Sequence, residues 1–88
     1  MTEEFKEKLR GMDTTAAIAA LSNYIASHPD DDEALTRRGI KYFGAGERSL
    51  AIHDYLAALR INPDSSAREA LKAANEILDY RNTDLINP

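Results

Sequence analysis

The stretch "GIKYFGAGERSLAIHDYLAALRINP", residues 39–63, decides the fold. Gly39 lies inside a run that otherwise reads as good helix, where a glycine costs about 1 kcal/mol relative to alanine. Something packed nearby must need the missing side chain. Downstream, "GAG" at 44–46 breaks the helix, and a second helix is expected from Glu47 to Arg60. It carries Ala51, Ile52, Tyr55, Ala58 and Leu59 on one side, and "NPD" at 62–64 closes it.

Working outward, the helix that contains Gly39 opens at Asp30, Asp31 and Asp32, whose carboxylates suit free N–H groups and the helix dipole. Leu35, Gly39, Tyr42 and Phe43 mark its buried face, and Glu33 and Arg37 form a favourable i, i+4 pair. The preceding helix is capped by Asp13 or Thr14, presents Ala17, Ile18, Leu21, Tyr24 and Ile25, and ends near Ser27 ahead of Pro29. A short first helix from Thr2 to Arg10 stops at Gly11, where a left-handed glycine is expected. Beyond Pro63, Ser66 and Glu69 have capping-box spacing for a last helix through Leu71, Ala74, Ile77 and Leu78 to about Arg81. The tail "NTDLINP" has no period and is expected to leave the helix, with "DLINP" apolar enough to fold back onto the domain.

A shift of 34 residues superimposes Ala17 on Ala51, Ile18 on Ile52, Ile25 on Leu59, Pro29 on Pro63 and Asp30 on Asp64. A period of about 34 residues built from helix–turn–helix units is the mark of a solenoid. In these residues the chain resembles the tetratricopeptide repeat (TPR) family. Gly39 matches the small residue of that family's first helix and Tyr42 the aromatic that follows it. Gly46 falls in the turn, Ala51, Tyr55 and Ala58 match the small–aromatic–small series of the second helix, and Pro63 matches the terminating proline. Leu35 stands where the family often has tryptophan, and Arg38 where it prefers leucine. The last helix departs further: Glu69, Lys72 and Glu76 occupy positions that should be apolar, as in a polar-faced cap.

The resemblance implies an all-α fold, a short right-handed α-solenoid of antiparallel helical hairpins with about five helices. A partial repeat covers residues 1–30, a full repeat 31–64 and a capping helix 65–81, with a tail at 82–88 outside the 1–81 domain. It also answers the opening question: Gly39 is expected to lie against Ala51 and Ala58, with Tyr42 and Tyr55 filling the space on either side.

Composition narrows function mostly by exclusion. The 88 residues carry 15 acids against 11 bases, a net charge of −4, with the bases scattered, which argues against nucleic acid as a partner. No cysteine is present, so thiol catalysis and thiolate metal sites are excluded. The longest apolar run, "AAIAAL" at 16–21, is far short of a membrane span, and "MTEEFKEKLRG" lacks the apolar core of a signal peptide, so no membrane association and a cytoplasmic location are expected. "DDDE" at 30–33 lacks the alternating ligands and distal glutamate of a calcium loop and reads as a capping run. "GAGERS" lacks the lysine and preceding strand of a phosphate loop. His28 and His53 lie on different segments without ligand spacing; His53 sits beside Asp54 on what reads as the polar side of its helix. Neither a metal nor a cofactor nor a catalytic centre is expected.

TPR arrays bind extended peptides or partner segments on the concave face lined by first helices. Transferred position by position, the resemblance places Glu33, Thr36, Arg37, Ile40 and Phe43 on that face, with Arg68 from the cap helix. The lysine–asparagine carboxylate clamp of chaperone-binding relatives is not expected, since Arg37 stands at the asparagine site. Ile40 and Phe43 beside Arg37 suit a ligand with an apolar residue and an acid. The expected function is therefore noncatalytic protein or peptide binding, the alternative being self-association into a homodimer through exposed repeat ends.

Overall fold

In the computed structural model, which describes the backbone of residues 1–86 and the side chains of residues 1–76, five α-helices pack sequentially: α1 Glu3–Arg10, α2 Thr14–Ser27, α3 Asp32–Gly44, α4 Arg48–Ile61 and α5 Ala67–Ile86. Short polar side chains start the first three. Thr2 accepts from the Phe5 N–H, Asp13 from Ala16 and Asp31 from Ala34, each filling one of the donor groups a helix leaves open at its N-terminus. For α5 the cap is Ser65, which accepts from the Ala67 N–H at 3.1 Å, in place of the Ser66–Glu69 box expected from spacing. Gly46 adopts φ +85° in the α3–α4 turn, a conformation that favours glycine. Gly11 does not: it sits at φ −86°, ψ −3°, because its N–H still bonds back to the Lys8 carbonyl, and the Met12 N–H to that of Leu9, in a tightened last turn.

Helices α2 and α4 have 14 residues each, and both of their boundaries are displaced by 34 positions. The side chains that bury follow the same displacement: Ala17 and Ala51 are fully buried, as are Leu21 and Tyr55. Neighbouring helices run antiparallel. Asn62, after α4, donates to Asp32 at the start of α3, while Arg38 in mid-α3 reaches Asp54 in mid-α4.

The two apolar clusters overlap. One joins Leu9, Ala17, Leu21 and Ala34 across α1, α2 and α3; the other joins Leu35, Ala51, Tyr55, Ala58, Ala67 and Ala74 across α3, α4 and α5. Ile25 packs against both. Alanine dominates the second cluster, so the helix backbones lie close.

At Gly39 α3 lies too close to α4 for a side chain. A Cβ built there would lie 2.6 Å from Cε1 and 2.8 Å from Cδ1 of Tyr55, and 3.2 Å from the Ala51 carbonyl oxygen. The residue is thus required by the face of the Tyr55 ring and the Ala51 backbone; the expected contact with Ala58 is not among its nearest neighbours.

Two further expectations change. Asp54 is not on a polar face with His53 but buried at 2% exposure, because it lies three residues from Ala51 and four from Ala58 on the inward side of α4. Arg38 turns inward to meet it in a bidentate pair with both contacts at 2.8 Å, and donates to Ser22 of α2 at 3.2 Å. The segment expected as a tail from residue 82 is helical as far as Ile86, since neither glycine nor proline interrupts the chain between Arg81 and Ile86. Residues 87 and 88 lie outside the described residues, and so do the side chains on which a fold-back of "DLINP" would depend.

Candidate functional site

Residues 6, 9 and 10 of α1 and 37, 40 and 41 of α3 follow the i, i+3, i+4 rule that gathers side chains on one helix face. Those two faces meet over α2 and enclose a cleft of about 220 Å³ lined by Lys6, Leu9, Arg10, Leu21, Arg37, Ile40 and Lys41. Its volume is below the ~300–1,000 Å³ of pockets that engulf small molecules, and suits one inserted side chain with a polar group beside it.

The floor is apolar and fixed. Leu9 and Leu21 are buried in the first cluster, whereas Ile40 is 52% exposed at the wall. Around the floor stand four cations. Lys6 lies 3.3 Å from Glu3 and 3.2 Å from Glu33; Arg37 lies 3.4 Å from Glu33, and Arg10 pairs with Glu7. The hydrogen bonds that the Lys6 ammonium donates to Glu33 and then to Glu3 raise its pKa above the ordinary value.

The residues expected on the groove divide. Arg37 and Ile40 line the cleft. Glu33 stands at its edge, bonded to two of the cations. Thr36, expected to contact ligand, is instead buried at 3% exposure. Its hydroxyl donates to the Asp32 carbonyl at 2.8 Å and accepts from Ser65 at 3.2 Å, so it ties α3 to the start of α5. Phe43 packs against the second cluster, with the Arg48 guanidinium 5.8 Å over its ring. Arg68 lies away from the cleft, donating to the Pro63 carbonyl at 2.6 Å. Lys6, Leu9, Arg10, Leu21 and Lys41 complete the site without having been expected on it, Leu21 having been read only as part of an apolar helix face, although the i, i+3, i+4 spacing of Lys6, Leu9 and Arg10 carries the signal.

His28 stacks on Tyr24 at 4.2 Å, and Tyr24 on Phe5 at 5.0 Å, a ladder that pins α1 to the end of α2. Among the described residues no group of three or more histidines and carboxylates is placed to hold a metal ion, and no helix is long and apolar enough to cross a membrane.

No family model, curated protein or solved structure matches this chain. The cleft and the helix periodicity are therefore what a functional reading rests on.

Proposed function

We propose that this chain is a short TPR-type stack, a right-handed α-solenoid that binds an extended acidic segment of a partner protein without catalysing a reaction. The observation that carries the binding reading is the cleft itself: an apolar floor of Leu9 and Leu21, an exposed Ile40, and four cations around them, in a chain whose net charge is −4. An apolar anchor on the floor with carboxylates at the rim matches that distribution, and opposite charge across an interface favours both encounter and register. The TPR reading is supported by the 34-residue displacement between α2 and α4 and by the close approach at Gly39. In such a stack α1 and α3 are first helices, so a cleft between them lies on the face that arrays of this kind present to ligands.

The test is a fluorescence anisotropy titration with a labelled octapeptide, Gly-Ser-Asp-Leu-Glu-Leu-Gly-Ser. Saturable binding is expected, weakened at least about tenfold by Arg37→Glu or Ile40→Asp and unchanged by Leu50→Asp on α4. Equal affinity for all four proteins would remove the cleft from consideration.

Self-association is the second reading. It draws on Leu50, Leu56 and Ile61 of α4, which are 46%, 44% and 39% exposed. Light scattering across a range of concentrations separates the two, since a monomer at every concentration leaves the second without support.

A further inference from the structure

Lys6 belongs to α1 and Arg37 to α3, and one carboxylate joins them. The same Glu33 oxygen, Oε2, lies 3.2 Å from Lys6 Nζ and 3.4 Å from Arg37 Nη2. Both cations line the cleft, but Glu33 itself does not; it reaches them from the first turn of α3, at the edge. Its side chain is 42% exposed, and these are the two ion pairs its carboxylate makes among the described residues. The Nε of Arg37 is buried without a hydrogen-bond partner, so the guanidinium is not fully satisfied by this arrangement.

We infer that Glu33 is an internal stand-in for a ligand carboxylate: it occupies the Lys6–Arg37 clamp in the unliganded protein and is displaced when an acidic segment enters. The inference rests on the cleft reading above and adds the position of one ligand acid and a competitor for it. Exposed ion pairs are individually weak and readily exchanged, which is what a displaceable occupant requires. The exchange also makes the clamp selective. A neutral ligand cannot replace Glu33 and leaves the pairs intact, whereas an acidic one recovers on its own carboxylate the two contacts that Glu33 gives up. Because those contacts come from different helices, the ligand acid takes over from Glu33 as a tie between α1 and α3.

The proposal predicts a gain of affinity on removing an acid. Glu33→Gln should bind the acidic octapeptide about 2- to 10-fold more tightly than the wild type, the range expected from releasing two exposed pairs. The amide analogue, Gly-Ser-Asn-Leu-Gln-Leu-Gly-Ser, should bind both proteins equally. Glu33→Asp serves as the second variant: it keeps a negative charge in the first turn of α3 while shortening the reach by one methylene, and it too should tighten acidic binding. Circular dichroism establishes that each variant is folded, and if Glu33→Gln is not, Glu33→Asp decides. Acidic binding that is unchanged or weaker in the folded Glu33 variants, while Arg37→Glu still weakens it at least about tenfold, would overturn the stand-in and leave the cleft standing. Absence of saturable binding to every protein would overturn both.

Discussion

Replacing Gly39 with alanine sets helix propensity against packing, and the structure says which wins. In a helix interior the substitution gains about 1 kcal/mol. At this position the new Cβ would lie 2.6 Å and 2.8 Å from two carbons of Tyr55, against a normal carbon–carbon approach of ~3.5–4.0 Å. The ring is buried at 2% exposure and has little room to swing aside, and the Ala51 carbonyl oxygen would also lie only 3.2 Å from the new Cβ. Overpacking of a close-packed site costs about 1–3 kcal/mol, and two contacts this short place it near the upper end. The net expectation is a loss of about 2 kcal/mol, or about 8–16 °C in Tm for a domain of this size. Gly44→Ala, in the same helix with nothing within 4 Å of the added Cβ, should instead stabilise by about 0.4–1 kcal/mol. Thermal and urea unfolding of both variants read the contrast, and repeating Gly39→Ala in a Tyr55→Leu background should reverse its sign. A Gly39→Ala protein as stable as the wild type, with Tyr55 intact, would refute the reasoning.

Three other perturbations test separate contacts. Arg38→Met leaves Asp54 buried without its partner and should cost about 3 kcal/mol, while Arg38→Met with Asp54→Leu should recover most of it; equal urea midpoints for the single and double variants would contradict this. Burial pushes the Asp31 carboxyl up, but the Tyr24 hydroxyl, the Ala34 N–H and the Met1 ammonium together hold it below its ordinary value. Its contribution to stability is therefore present above the unfolded value of ~3.9 and lost as pH falls through the lower folded one. Asp31→Asn, which keeps a capping side chain, should flatten the acid limb of a stability–pH profile, and parallel profiles would refute the assignment. Thr36→Val removes the acceptor for Ser65 and should cost about 1 kcal/mol without changing peptide affinity; weakened binding in the folded variant would restore Thr36 to the site.

The helices are legible in the sequence because their ends are written in local chemistry. Asp13, Asp31 and Thr2 cap where short polar side chains suit, and Pro29 and Pro63 follow the ends they enforce. What escapes is whatever depends on pairing across helices. Asp54 beside His53 reads as polar surface until its spacing from Ala51 and Ala58 is weighed, and a buried carboxylate is only credible once Arg38, on another helix, is known to reach it. Thr36 fails as a groove residue for the same reason: Ser65, twenty-nine positions away, takes its hydroxyl. The cleft is half legible. Arg37 and Ile40 are expected there from the resemblance to the repeat family, but the opposite wall comes from α1, where no site residue is expected.

Ile25 touches both apolar clusters from the C-terminal end of α2. Such a residue acts as a keystone: together with the Arg38 bridge from Ser22 to Asp54 it couples the two clusters, so the all-or-none character of the domain depends on the joint between them as well as on the heart of either.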